Sequence, residues 1–185
     1  MSLGKNILVV LLLSFVSFVA IGQKNNDYKQ YRILILLDGS SSMREDWVGN
    51  STRFQTAAAI VTRLMDSVYN FNPNVEFALR VYGHQHSVPE NNCFDTRREV
   101  NFSKDNYTQM LLRLEALKPY GVSPIAYSLK EAAEMDFSDP NNYAYSLVLI
   151  TDGGESCNGN ICDVVKELLE RKVEFKPYII SLIDY

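Results

Sequence analysis

Arg32-Ile33-Leu34-Ile35-Leu36-Leu37-Asp38-Gly39-Ser40-Ser41-Ser42-Met43 is the stretch whose reading decides the fold. Five consecutive apolar residues stop at an acid, and three serines follow within four residues of it. An apolar run of this length predicts a strand buried on both faces, as in the middle of a parallel sheet. Such a sheet delivers Asp38, Ser40 and Ser42 to its carboxyl edge, where open α/β sheets bind ligands. One carboxylate and two hydroxyls at alternate positions are hard oxygen donors, better suited to Mg2+ than to Zn2+. Taken alone, the same residues also read as a strand ending in a polar Gly/Ser turn.

Working outward, Phe54, Ala57, Ala58, Val61, Leu64 or Met65, and Val68 mark a helix with one apolar stripe, broken at Asn72-Pro73-Asn74. Val75 to Tyr82 is rich in strand formers, and Arg97 to Phe102 predicts a short edge strand. Between them, Gly83 to Thr96 is a polar loop holding both histidines and Cys93. Ser103 reads as the N-cap of a helix carrying Tyr107, Met110, Leu111, Leu114 and Leu117. Ser123 and Pro124 read as N-cap and first residue of the next helix, with Ile125, Leu129, Ala132 and Ala133. Tyr145 to Ile150 is a second buried strand, closed by Thr151-Asp152-Gly153-Gly154. A helix with Val164, Val165, Leu168 and Leu169 follows, then a last strand around Pro177. Strands alternating with helices predict an α/β fold, doubly wound and Rossmann-like, with a mostly parallel sheet flanked by helices. A doubly wound domain covers its last strand with a further helix, so residues 31–185 are read as one domain lacking that helix.

The N-terminus stands apart. Lys5 precedes an almost wholly apolar run from Ile7 to Ala20, and Ala20-Ile21-Gly22 places small residues before Gln23. This predicts a signal peptide over 1–22 with cleavage near Gly22-Gln23, and a flexible leader over 23–30. The apolar run is short for a membrane span, and no other stretch is long enough for one, so no span is expected in the mature chain. The expected location is outside the cytoplasm: secreted, periplasmic or at the cell surface. Without Lys5 the chain has 17 basic and 22 acidic residues, a net charge of −5, which argues against nucleic acid as a partner. The whole chain of 185 residues is 46% hydrophobic, enough to bury a real core.

Both buried strands end in an acid: Leu37-Asp38 and Ile150-Thr151-Asp152. As neighbours in a parallel sheet they would bring both carboxylates to one edge, and Gly121-Val122-Ser123-Pro124 would add a hydroxyl. Two acids and three hydroxyls, Asp38, Ser40, Ser42, Ser123 and Asp152, can hold a six-coordinate cation with a position left open.

These residues resemble the von Willebrand factor A family, whose metal-ion-dependent adhesion site combines Asp-x-Ser-x-Ser, a Thr after a Gly-rich turn, and an Asp in a Thr-Asp-Gly segment. Asp38, Ser40 and Ser42 match the first part and Asp152 the last; Ser123 stands where the family usually has Thr. The hydroxyl is kept, but the methyl that restricts its rotamer is lost. Leu79 to His84, Asn92 to Asp95 and Thr151 to Cys157 look like a bacterial secreted branch of the family. The resemblance implies a non-enzymatic, Mg2+-dependent adhesion or interaction module, with Mn2+ or Ca2+ as alternatives. The carboxylates would neutralise the ion, the serines would ligate it directly or through water, and a partner protein presenting Asp or Glu would complete the shell. It also implies a further helix after the last strand.

Other features have their own readings. Export favours a disulfide, and Cys157 with Cys162 is the expected pair, leaving Cys93 odd; Cys93–Cys157 and Cys93–Cys162 stay open because the loop of Cys93 reaches the same face. His84-x-His86 with Cys93 only weakly imitates a Zn2+ site. Trp47 reads as packing or as a partner contact. Asn50, Asn101 and Asn106 begin glycosylation sequons that matter only in a glycosylating host. Two competing functions remain: a serine hydrolase using Ser40, His84 or His86, and Asp152, although no Gly-x-Ser-x-Gly elbow is present, and a scaffold whose metal site is vestigial.

Overall fold

The computed structural model describes residues 29–171 and 173–183. The expected signal peptide and nearly all of the expected leader lie outside the described residues; Gln30, read as leader, already belongs to the first strand. That strand, β1 (Gln30–Asp38), is central in a five-stranded sheet of order β3-β2-β1-β4-β5. Its neighbours β2 (Glu76–Tyr82) and β4 (Tyr143–Thr151) both run parallel to it. β5 (Phe175–Ser181) continues the parallel set, and β3 (Thr96–Ser103) closes the other edge antiparallel to β2. The mostly parallel doubly wound fold is therefore as the alternation of elements predicts.

The continuous apolar run of β1 has a simple cause: successive side chains face opposite cores. Ile35 and Leu37 pack into the core beneath α1 (Arg53–Phe71) and α2 (Tyr107–Ala116). Leu34 and Leu36 pack into the second core with α3 (Ile125–Glu131) and α4 (Ile161–Glu170). All four are fully buried, so burial on both faces outweighs any polar alternation. Pro177 sits on the edge strand β5, where its missing N–H costs little.

Helix starts are where the sequence was least legible. The helix predicted to begin after Ser103 is capped by Asn106 instead. Asn106 is buried and its amide donates to the Phe77 and Asn101 carbonyls, so a tertiary demand fixes the boundary. Ser123 is not an N-cap: Pro124 holds that place and α3 begins at Ile125. The last turn of that helix widens to π-type pairing over Ala132–Asp136. At α1, Thr52 and Gln55 form a reciprocal capping box, with Thr52 Oγ1 accepting from the Gln55 N–H and Gln55 Oε1 accepting from the Thr52 N–H. This cap places Arg53 in the first turn, at the same edge as the end of β1.

Cys93 pairs with Cys157, which corrects the expected Cys157–Cys162 bridge. Asn160 is the reason: its side chain accepts from the Cys162 and Asp163 N–H groups and fixes Cys162 in the first turn of α4, where it is exposed and free. The loop of Cys93 meanwhile reaches the carboxyl edge. Among the described residues no helix is long and apolar enough to cross a membrane.

Candidate metal centre at the carboxyl edge

Parallel pairing sets Leu37 beside Ile150 and Asp38 beside Tyr82, so β1 and β4 end together. Asp38 is fully buried. Its Oδ1 accepts the Ser40 N–H at 2.8 Å, and its Oδ2 accepts the Thr151 hydroxyl at 2.7 Å. Burial raises the pKa of this carboxyl, and the nearby Asp152 charge adds to the effect; the bonds from Ser40 and Thr151 work against it. Ser40 and Ser42 hydroxyls lie 3.0 Å apart, and the Ser42 hydroxyl donates to Asp152 Oδ1 at 2.9 Å. Four of the five expected residues thus form one hydrogen-bonded cluster.

Ser123 makes no hydrogen bond to the cluster among the described residues; its loop meets the Ser40 loop two residues earlier, at Gly121. Ser40 bridges to Gly121, and the Ser41 N–H donates to the Gly121 carbonyl at 2.9 Å. The Ser123 N–H donates to Ser156 Oγ at 2.7 Å, and the Ser156 N–H returns to the Ser123 carbonyl at 3.1 Å. Glu155 completes this seam, since its Oε2 accepts the Ala126 N–H in the first turn of α3. Gly83 and Gly121 permit the close approach. Gly83 has φ of +67° and a side chain there would strike the Val122 carbonyl; one at Gly121 would strike the His86 carbonyl. The Gly121 N–H donates to the Gly83 carbonyl at 2.7 Å, locking the two loops together.

Several contributors escaped the sequence reading. Thr151 was seen only as part of a strand end, yet its hydroxyl bonds Asp38. Tyr82 lies wholly buried beneath the edge, and its hydroxyl has no hydrogen-bond partner among the described residues. Burial first, then the charge of Asp38, push its pKa well above that of an ordinary tyrosine. Arg53 reaches in from the start of α1 and bonds Asp152 Oδ2 at 3.1 Å. Only its basic side chain beside a helix cap would have hinted at this. Trp47 packs against the first core, with the Arg53 guanidinium 5.4 Å from its ring centroid.

The hydrolase and Zn2+ readings are not assembled. His84 Nε2 lies 2.8 Å from Glu99 Oε1, and His86 faces Glu90 at 3.6 Å, while Ser40 bonds Ser42. Neither histidine therefore serves Ser40 as a base. Cys93 is in the disulfide, so the His84, His86 and Cys93 set is not a Zn2+ site either. Asp95, also unmarked in the sequence, shapes this loop by accepting the Gln85 and His86 N–H groups. A groove of about 720 Å3 between α1 and α2 borders the edge through Arg44 and Tyr120 but contains none of the five expected residues.

The donor set fits a hard divalent cation. It holds two carboxylates and three hydroxyls, with no thiolate or imidazole, which suits Mg2+, Mn2+ or Ca2+. Among the described residues no three His, Cys, Asp or Glu side chains converge, so hydroxyls would have to supply the remaining protein ligands.

A mostly parallel sheet with a polar carboxyl edge and helices on both faces is the architecture of a ligand-binding α/β domain. The sequence profile of the von Willebrand factor type A domain matches residues 33–155, and the chain belongs to that family. The chain is 29% identical over 141 residues to YwmC, an uncharacterized protein of Bacillus subtilis (strain 168), covering 74% of this chain and 60% of that one. Its fold is similar to the vWF domain of the type V pili tip protein Mfa5 from Porphyromonas gingivalis, at a TM-score of 0.54 and 21% identity over 69% of this chain and 39% of the other. It is also similar to a von Willebrand factor type A structure from Catenulispora acidiphila, at a TM-score of 0.63 and 14% identity over 83% of this chain and 33% of the other.

Proposed function

We propose that this chain is a divalent-cation-dependent protein-binding module acting outside the cytoplasm. The observation that carries the reading is Asp38: a fully buried carboxylate whose hydrogen bonds among the described residues come from an amide and a hydroxyl, and which is joined through neighbouring groups to a second acid. Neutral donors orient a carboxylate without cancelling its charge, which leaves the charge for a cation. Asp38, Ser40, Ser42, Ser123 and Asp152 are the residues that would hold it, with Mg2+ favoured. The bound ion would offer an open position to a carboxylate from a partner protein. The chain's own part is to fix the donors: Thr151 and the Ser40 N–H orient Asp38, Ser42 orients Asp152, and the Gly83–Gly121 contact holds the Ser123 loop against the Ser40 loop.

Partner specificity would come from the loops around the edge, and affinity from the charge-assisted bond. The pilus-tip origin of one structural neighbour supports an adhesive role. The Cys93–Cys157 disulfide supports an oxidising location, secreted, periplasmic or at the cell surface. Calorimetric titration with Mg2+ and Mn2+ tests the reading: saturable binding in the wild type and none in Asp38→Ala is the expected result. Capture of acidic partner proteins that is abolished by chelator would extend it. Absence of cation binding, together with partner capture indifferent to chelator, would overturn it.

A further inference from the structure

Asp152 already has a cation beside it. Its side chain is 1% exposed, and Arg53 Nη1 donates to its Oδ2 at 3.1 Å. The same nitrogen bonds Glu45 Oε2 at 2.6 Å and lies 3.5 Å from the Ser42 carbonyl. Glu45 is 65% exposed, so one guanidinium spans a buried acid and a surface acid. The face of Trp47 and the capping box at Thr52 restrict where Arg53 can sit. Asp38, by contrast, has no basic side chain bonded to it among the described residues.

We propose that Arg53 is a built-in counter-cation that competes with the divalent ion for Asp152, with Glu45 drawing the guanidinium toward the surface when the ion enters. The inference rests on the cation reading given under the proposed function. Its physical basis is that a buried carboxylate needs a counter-charge, and two cations on one carboxylate repel. In the absence of the ion, Arg53 holds the Asp152 carboxylate in place. When the ion binds, the guanidinium still lies at the edge and adds positive charge on the side an acidic partner approaches. Arg53 is thus a positioning and affinity-setting residue, outside the ligand set.

The test is calorimetric titration of the full chain with Mg2+ in the wild type, Arg53→Gln and Glu45→Gln, with melting temperatures in chelator and in saturating Mg2+. Removing the competitor should tighten Mg2+ binding by roughly tenfold, a typical coupling between neighbouring sites. Arg53→Gln should also melt lower than wild type in chelator and gain more from Mg2+. Glu45→Gln should weaken Mg2+ binding by about threefold, because Arg53 then loses the surface acid that draws it away from Asp152. A purely structural Arg53 would lower both melting temperatures and leave the affinity alone. If the wild type binds Mg2+ and neither variant changes the affinity in these directions, the inference is overturned and the cation site stands. If Mg2+ binds to none of the three, the cation reading falls and takes the inference with it. Should Arg53→Gln fail to fold by circular dichroism, the exposed Glu45→Gln variant decides, and an unchanged affinity there overturns the proposal.

Discussion

Asp136 and Asp38 are both buried, and what meets them differs. Asp136 accepts two bonds from Arg80, at 2.6 and 3.1 Å, and a third from Arg98 at 3.0 Å. Glu99 is treated alike, with Arg113 at 2.6 Å and His84 at 2.8 Å. Asp38 receives an amide and a hydroxyl, both neutral. Away from the carboxyl edge, then, Asp136 and Glu99 are met by basic groups, whereas the buried Asp95 is met by amide N–H groups of the loop that it shapes. At the edge the fold orients an acid with neutral donors, and gives the second acid, Asp152, an arginine shared with Glu45. The first arrangement serves stability, because breaking it strands a buried charge. The second leaves charge for something outside the chain, at a cost to the fold.

The largest effect should come from the first region. Asp136→Ala leaves Arg80 buried beside Arg98 without its acid, and urea unfolding should show a loss of about 3–5 kcal/mol. If the loss is below 1 kcal/mol, the contrast between the two regions is wrong. The disulfide comes next. Cys93 and Cys157 are 64 positions apart, and replacing both with alanine should cost roughly 3 kcal/mol, whereas Cys162→Ser should be close to neutral. Equal losses in the two variants would point back to a Cys157–Cys162 bridge.

Glu99→Gln should destabilise by about 2 kcal/mol at neutral pH, since it weakens charged hydrogen bonds to His84 and Arg113. Burial tends to raise the Glu99 pKa, but the bonds from His84 and Arg113 outweigh it and the net direction is down. A depressed folded-state pKa gives stability that is present above the ordinary carboxylate value and lost as pH falls through the folded one. The gap between wild type and variant should therefore close on acidification, as followed by urea melts across that range. The smallest effect, and the sharpest, belongs to Asp38→Asn. The Asp38 pKa is raised, so the metal-free wild type loses stability as pH rises through the carboxylate range and up to the folded pKa. The asparagine variant should lack that decline, be no less stable than wild type at neutral pH in chelator, and fail to bind Mg2+. A large destabilisation instead would make Asp38 a structural acid like Asp136.

Much of the edge was legible in the sequence because the residues that end strands are local signals. Leu37-Asp38 and Ile150-Thr151-Asp152 announce buried strands that stop at acids, and the sheet order makes them neighbours. The contacts that bind the edge together are not local. Tyr82 stands beside Asp38 and Thr151 bonds it from other strands, Arg53 arrives from a helix cap, Asp95 accepts N–H groups from the far side of its own loop, and Glu155 accepts one at the start of α3. No spacing rule connects them, since each depends on where a second segment ends in space.

The amino-acid sequence by itself determined the strand order's parallel character, the two cores and the placing of Asp38, Ser40, Ser42 and Asp152 at one edge. Burial of apolar side chains with fixed periodicity does this, and periodicity is written along the chain. Only the tertiary structure decided that Cys93 pairs with Cys157, that Asn106 and Pro124 rather than Ser103 and Ser123 start their helices, and that Arg53 stands against Asp152. Each of these turns on short-range bonds between distant segments, whose partners are fixed only once the sheet has brought those segments together.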